Sequence, residues 1–509
     1  MSYRFASEAL SMLFSRRDFL RDTALLSSAS LALGQLSAQE GKKQEKKEIK
    51  IKPKVSANER IRVAVIGFNG QGMGHIKGYS EMPETEVVML CDTDQKVADK
   101  GIKQATTYQE HKPTYVQDLR RVFDDKSIDA VSIATPNHWH ALASIWAMQA
   151  GKDVYVEKPV SHNVSEGRHM VEHARKLNRI VQTGTQSRSQ AGMRQLIDFI
   201  HAGKIGSVKV AYGLCYKPRA SIGNTTSDQK VPETIDYNLW CGPAPLEMPR
   251  RNSVVHGTVH YDWHWFWNTG NGDLGNQGIH EMDKARWGLN LKTMPDMIWS
   301  IGGRFGYVDS AETANTQLCF FNYAKDGCRI IFEVRGLKTN DFKGSKIGNI
   351  WVGSEGYVVS NSYSAGIAYR PDGEKITEFK AGGNHFANFI KAVKSRKSTD
   401  LNADIEEGHL SSALCHLGNI SYRLGHVASE DELNKTLDNP KSLGMCDEGC
   451  DSVKRMKQHL ADNNVDLAGK FKVGKPLELD TTTETFKGNK AADAMLTREY
   501  RKGFVVPKA

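Results

Sequence analysis

No apolar run in this sequence is long enough to cross a bilayer: the stretch Thr23 to Leu33 falls well short of the ~20 residues a membrane helix needs. A quarter of the residues are charged, too many for a membrane bundle, and 509 residues suffice for two or three globular domains. Cysteine is sparse. The eight cysteines include no C-x-x-C pair, which excludes a zinc ribbon or a disulfide-stapled scaffold, and no bound metal is expected. Only Cys446 and Cys450 lie close together, and both a local bridge and two free thiols remain open readings there. A basic surface is missing too. Of the net charge of +9, residues 1–54 carry +5, and the +4 spread over the rest is too little for a nucleic-acid interface.

What is present begins with Ser15-Arg16-Arg17-Asp18-Phe19-Leu20, followed by the weakly apolar run and small residues near Ala38. Paired arginines in that setting read as a twin-arginine export signal over residues 1–38, against the plainer reading of an amphipathic helix. The implied partner is the Tat export machinery and the implied location the periplasm, with no membrane span kept after processing. Residues 39–58, rich in lysine and glutamate and without apolar periodicity, form a solvated linker.

Folding starts near Arg60. Ile61 to Ile66 is a β-branched strand running into Gly67-Phe68-Asn69-Gly70-Gln71-Gly72, the strand-to-helix turn that a dinucleotide site requires. Glycine lets the backbone approach the pyrophosphate, and the helix start offers it unpaired N–H groups. Gly67, Asn69, Gly70, Gln71 and Gly72 are the expected contacts, with Asn69 standing where the strict G-x-G-x-x-G pattern has its second glycine. A second strand, Glu86 to Cys91, ends in Asp92, placed to accept the ribose hydroxyls; its charge favours NAD over NADP, and its plainer role would be to cap the next helix. Strand Ala130 to Ala134, the strand end Thr135-Pro136-Asn137, a helix over 138–150 and strand Asp153 to Val156 continue the alternation. It predicts a doubly wound parallel sheet with ligands at the carboxyl ends of its strands.

Val156-Glu157-Lys158-Pro159 closes this half, and Gly275-Asn276-Gln277-Gly278-Ile279-His280-Glu281-Met282-Asp283 follows much later. With the glycine turn and Thr135-Pro136-Asn137, these segments resemble the Gfo/Idh/MocA oxidoreductases over residues 60–425. The resemblance implies a Rossmann domain (59–185), an α+β substrate domain with an open, largely antiparallel sheet (186–430), and a C-terminal extension (431–509) packed on the body. It further implies that Thr135, Pro136, Asn137, Glu157 and Lys158 line the cofactor, that Lys158 sits between nicotinamide and substrate, and that His280 is the catalytic histidine. Asn276 stands where the D-x-G-x-H-x-x-D pattern has its first carboxylate; its amide can orient a hydroxyl but cannot act as a base. A helix beginning near Gly278 would put His280 in its first turn, with Asp283 a structural neighbour.

The segment Tyr261 to Trp267 is dense in aromatics, and Trp263, His264 and Trp265 are expected at the substrate, together with Asn276, His280 and His416. The competing reading has Trp263, Trp265 and Trp267 facing a core in strand alternation. Strands over 208–216, 317–323 and 329–334 and helices over 385–394 and 406–422 complete the second domain, whose sheet face the resemblance assigns to subunit contacts in a homo-oligomer.

Three functions fit. The first is an oxidoreductase acting on a sugar, sugar derivative or glycoside. Export favours a tightly held NAD recycled within each turnover, because a folded protein leaves the soluble NAD(H) pool behind. The second is a redox-neutral glycosidase or lyase, as some relatives are. The third is a non-catalytic sugar- or nucleotide-binding protein, for which only Asn276 argues.

Overall fold

The computed structural model describes Ser56 and residues 59–509 apart from 444 and 468. The expected export signal, and the linker save Ser56, lie outside the described residues. Six strands, β1 (Ile61–Ile66), β2 (Thr85–Cys91), β3 (Thr114–Val116), β4 (Ala130–Ile133), β5 (Asp153–Val156) and β6 (Val181–Thr183), form one parallel sheet in the order β3-β2-β1-β4-β5-β6. The chain reverses direction across the sheet between β1 and β4, so the crevice for a dinucleotide opens at their carboxyl ends. Helices on both faces bury these strands from two sides, which is why β4 and β5 are buried at every position.

The second sheet has twelve strands. Its centre is β7 (Val208–Cys215), β8 (Met297–Gly303), β9 (Thr316–Tyr323) and β10 (Cys328–Arg335), flanked on one side by β11 (Ile347–Gly353), β12 (Tyr357–Ser360), β13 (Ala365–Tyr369) and β14 (Lys375–Lys380). On the other side stand β15 (His426–Val427), β16 (Lys472–Val473), β17 (Leu477–Asp480) and β18 (Thr485–Phe486). The long path runs β14-β13-β12-β11-β7-β10-β9-β8-β16-β15, and β17 pairs with β8 and β18. Neighbours pair antiparallel except β7 with β10, so the sheet is mixed and mostly antiparallel. One face packs on the helices Ala191–His201, Ile279–Gly288 and Ile405–Arg423 through Leu196, Met282, Leu414 and Phe332.

The other face is covered by the chain's own C-terminal extension. Leu433 and Leu437 of the helix Glu430–Asp438, and Val453, Met456 and Leu460 of the helix Asp447–Asp462, pack on Trp299, Ile301, Phe320 and Ile331. Both faces being occupied explains why β9 and β10 are each buried at seven of eight positions. A surface that the resemblance assigned to subunit contacts is therefore filled by residues of the same chain. The extension adds the short strands β16, β17 and β18 at the far edge, next to β15.

Its last residues then return to the nucleotide domain. Ser165 N donates to Leu496 O at 2.9 Å, Tyr500 Oη to Glu166 Oε1 at 3.1 Å, and Phe504 sits edge-on to Trp139 with ring centroids 5.7 Å apart. All eight cysteines are free thiols, so Cys446 and Cys450 are not bridged. Among the described residues no helix is long and apolar enough to cross a membrane. Phe504 is 7 % exposed, and Phe504→Ala leaves a cavity between the tail and the nucleotide domain. It should cost about 3 kcal/mol, read as a lower urea midpoint with an unchanged slope.

Candidate active site

β1 ends at Gly67, whose φ of +78° lies in the left-handed region. A Cβ there would stand 2.8 Å from Thr135 N, and one on Gly72 would stand 2.0 Å from Gly67 O; both glycines let two strand ends and the helix Gly72–Ser80 meet. Gly70 differs: nothing lies within 4 Å of the position its Cβ would take. Asn69, Gly70 and Gln71 form an exposed turn at a helix start, whose N–H groups lack intrahelical partners, and a pyrophosphate fits that cradle. Asp92 Oδ2 accepts from Phe68 N at 2.8 Å and its Oδ1 from Asp94 N at 3.0 Å, so this carboxylate braces the glycine turn from below. Burial pushes its carboxyl up, against the pull of those two N–H groups. The capping role falls instead to Asp94, which accepts from Lys96 N.

Asn137, buried at the start of the helix Asn137–Gln149 that Pro136 caps, donates through Nδ2 to Asn271 Oδ1 at 3.0 Å, bridging the two domains. Thr135 Oγ1 is buried without a partner. Glu157 is buried at the end of β5, where His75 Nε2 lies 3.2 Å and Gln186 Nε2 2.9 Å from its Oε1. Burial alone would raise the Glu157 carboxyl; the His75 hydrogen bond and charge, with Lys158, outweigh it and hold it at about 2.

Lys158 Nζ donates to the backbone oxygen of Asn276 at 2.8 Å. Asn276, expected to meet substrate through its side chain, thus also anchors the lysine through its carbonyl. The helix holding His280 also starts earlier than expected. It begins at Gly272, widens into a π-turn over Leu274–Gly278, and continues as Ile279–Gly288, so His280 lies beyond the first turn. A widened turn takes a carbonyl out of the regular ladder, and Asn276 O, inside this turn, is the acceptor that Lys158 uses. One helical turn further on, on the same side, comes His280. Its Nδ1 is buried and unpartnered, which leaves Nε2 as the nitrogen open to the cleft, and its ring meets that of Tyr363 at 4.8 Å. Burial, and then the Lys158 charge, hold His280 well below the usual histidine range, so it is neutral. Burial likewise lowers Lys158, opposed by Glu157.

The aromatic segment is a short helical turn, Asp262–Trp265, and the strand alternation of the competing reading does not occur: Asp262 and Trp265 are buried together. Trp263 stacks on His264 with centroids 3.6 Å apart, and Arg219 lies 4.9 Å from the Trp265 ring. Burial takes His264 well below its ordinary range, and the charge of Lys158 lowers it further. Tyr261 opens this turn at φ +55°, ψ −53°, with Asp262 N donating to His260 O at 2.6 Å. That is a γ-turn, a strained form worth about 1–3 kcal/mol. It holds the half-exposed Tyr261 phenol 3.2 Å from Arg219 Nη1.

His416 comes from the long helix Ile405–Arg423. It is buried between domains, with Nε2 3.4 Å from Ser161 Oγ and Nδ1 3.4 Å from Asn271 Nδ2, and burial takes it to about 3. Its helix neighbour Asn419 donates to Asn271 O at 2.9 Å, so both brace the loop before the π-turn. Asp283 is structural, as its spacing suggested: Arg188 grips it through Nε and Nη2 at 2.9–3.0 Å. Sequence reasoning missed Asp273, a buried carboxylate inside the π-turn's helix that ion-pairs with Arg219, and Glu281, which burial raises to about 7. Asp273 lies three residues before Asn276, a spacing visible in the sequence; Arg219, Gln186, His75 and Tyr363 carry no local signal. Among the described residues no group of three or more His, Cys, Asp or Glu side chains is placed to hold a metal ion.

A glycine turn at the switch point of a parallel sheet, facing a desolvated lysine and a neutral histidine, has the layout of a dinucleotide-binding site. Family models agree: residues 61–185 match the oxidoreductase family's NAD-binding Rossmann fold, and residues 204–448 its C-terminal alpha/beta domain. The chain belongs to the Gfo/Idh/MocA oxidoreductase family. Among curated relatives it is 33% identical over 174 residues to a glycosyl hydrolase family 109 protein of Shewanella pealeana, covering 32% of this chain and 37% of that one. It is 33% identical over 112 residues to an alpha-N-acetylgalactosaminidase of Shewanella oneidensis, covering 21% and 24%. The matches thus span 37% and 24% of these relatives' lengths. The fold is shared with the WlbA dehydrogenase of Bordetella pertussis, solved with NADH and UDP-GlcNAcA, at TM-score 0.51 and 18% identity over 72% of this chain and 97% of that one. The Chromobacterium violaceum WlbA dehydrogenase aligns at TM-score 0.53 and 17% identity, over 73% and 96%.

Glu157 raises Lys158, so removing its charge must let the ammonium lose its proton at lower pH. Competitive acylation of Lys158 across pH should titrate below the ordinary lysine range, and lower still in Glu157→Gln; an unchanged midpoint would contradict the assignment.

Proposed function

We propose that this protein oxidises a carbinol carbon of a sugar, sugar derivative or glycoside to a carbonyl, passing the hydride to a tightly held NAD, which returns to its starting state by reducing the carbonyl of a second sugar in the same turnover. The observation that carries this reading is the Lys158 ammonium, pinned by Asn276 O one turn before a neutral His280. When bound, the dinucleotide supplies hydride exchange at its nicotinamide ring. The cradle Asn69–Gln71 suits the pyrophosphate, and Asp92 at the end of β2 suits unphosphorylated ribose, which favours NAD over NADP. Thr135, Pro136, Asn137 and Glu157 frame the space above the strand ends. In the cleft, Nε2 of His280 takes the substrate hydroxyl proton while the Lys158 ammonium stabilises charge on the same oxygen. His264, Trp263 and the Tyr261 phenol form the opposite wall, where flat rings suit the apolar face of a sugar.

A second reading, a redox-neutral glycosidase, is favoured by the names of the curated relatives, a glycosyl hydrolase family 109 protein and an alpha-N-acetylgalactosaminidase. Export through the twin-arginine route to the periplasm belongs to the same proposal and supports a cofactor that is not exchanged. Replacing Arg16 and Arg17 by lysine should leave the protein in the cytoplasmic fraction, and unimpaired export would refute the signal. A homo-oligomer also remains part of the proposal, testable by light scattering.

The decisive experiment releases nucleotide from the purified, denatured protein and tests the native protein on glycosides without added dinucleotide. Bound NAD with glycoside cleavage supports the redox-neutral form. An empty protein that needs added NAD and accumulates NADH supports an ordinary dehydrogenase. Lys158→Met should lower kcat by about 10²–10⁴ while keeping the nucleotide; full activity would overturn the site.

A further inference from the structure

Beyond the catalytic cleft, a cavity of about 370 Å³ opens between the aromatic segment, the end of the long helix and the extension, within the size range of small-molecule sites. Its lining includes Trp267, Glu312, Arg304, Arg423, Lys470 and Lys472. The charges there are unevenly matched. Arg304 is neutralised by Asp309, to which its Nε and Nη2 donate at 2.6 and 2.7 Å. Glu312 accepts from Trp267 N at 2.7 Å, and its charge reaches Arg423 without forming an ion pair with it. Arg423, Lys470 and Lys472 make no ion pair with a carboxylate among the described residues.

Two of these cations are held in place by rings. The Arg423 guanidinium lies 5.0 Å from the centre of Trp267, and Lys472 Nζ lies 5.4 Å from that of Tyr422. Side chains fixed in this way lose little freedom when an anion arrives, so the hollow is preorganised for negative charge. Trp267 also ties the hollow to the catalytic cleft. It ends the segment that begins with Tyr261 and His264, and Glu312 N donates to Trp265 O at 2.9 Å, so one stretch of chain forms a wall of both.

We propose that this hollow is a second saccharide subsite, which takes the anionic group of an acidic sugar chain, a carboxylate or a sulfate ester, at Arg423, Lys470 and Lys472. The adjoining neutral sugar lies along Trp267 toward the catalytic cleft. The proposal rests on the sugar reading of the active site and narrows it to acidic oligosaccharides.

The test is calorimetric titration of the full chain with a uronate-containing and a sulfated oligosaccharide, their neutral counterparts, and inorganic sulfate alone. An acidic saccharide should bind at least about tenfold more tightly than its neutral counterpart, in a salt-sensitive way. Which acidic saccharide binds identifies the anionic group. That preference should vanish in the double variant Arg423→Gln, Lys472→Gln, and also in Lys470→Glu, a change at an exposed side chain that does not threaten folding. His280→Ala should leave it intact. Equal binding of acidic and neutral saccharides overturns the proposal, as does sulfate binding as tightly as the sulfated saccharide, or a preference that survives both variants. A protein with no bound nucleotide and no turnover that still shows a variant-sensitive acidic preference keeps the subsite and rejects the oxidoreductase reading. Turnover of neutral glycosides without that preference does the reverse.

Discussion

A lysine ammonium taken out of water has to be held from more than one side. Lys158 has the buried Glu157 carboxylate next to it in sequence and the Asn276 carbonyl at 2.8 Å from across the domain boundary. Much of the molecule serves this arrangement. His75 and Gln186 keep Glu157 ionised and immobile, and His75 is itself fixed by Ser132 Oγ at 2.9 Å. The π-turn supplies the Asn276 carbonyl, and Asn137, His416 and Asn419 brace the loop that leads into it. Because the ammonium comes from one domain and its acceptor from the other, the site exists only when the two are seated together.

The C-terminal extension contributes to that seating. Its helices cover the outer face of the large sheet, and Arg455 reaches through to Glu333, a buried carboxylate that also accepts from Tyr216 and Arg335. Its tail then crosses back to the nucleotide domain. Arg498 donates to Asn268 O at 3.0 Å and to Pro243 O at 3.2 Å, and its Nη1 lies 3.0 Å from His162 Nδ1, so one side chain joins loops from both halves next to the aromatic segment. These are charge-assisted bonds in partly buried surroundings, where geometry is held more firmly than at an open surface.

Most of the framework was legible from the chain itself. β1 and β5 fall where alternation and β-branching place them, and the helices His385–Ser395 and Ile405–Arg423 differ from expectation by a residue at most. The glycine turn was legible because its constraint is local: a positive φ at Gly67 and a close approach at Gly72 show in the residue type. Strands β11 to β14 and the layer made by the extension were not, because short strands and moderately amphipathic helices declare their partners only in the packed molecule. The helix start at Gly272 was missed for a similar reason, since π-geometry leaves no mark in apolar periodicity.

The candidate site divides along the same line. Asp92 could be named from its place after a strand, and Lys158 and His280 from the short motifs that carry the family resemblance. What each of them touches could not be. The carbonyl of Asn276, the Arg219–Asp273 pair beneath Tyr261, the ring of Tyr363 against His280 and the three cations around Trp267 join residues tens to hundreds of positions apart. Local sequence determines backbone conformation and chemical type, since both depend on near neighbours. Desolvation, protonation state and the direction of a hydrogen bond depend on whatever packing brings alongside, and only the tertiary structure decided those.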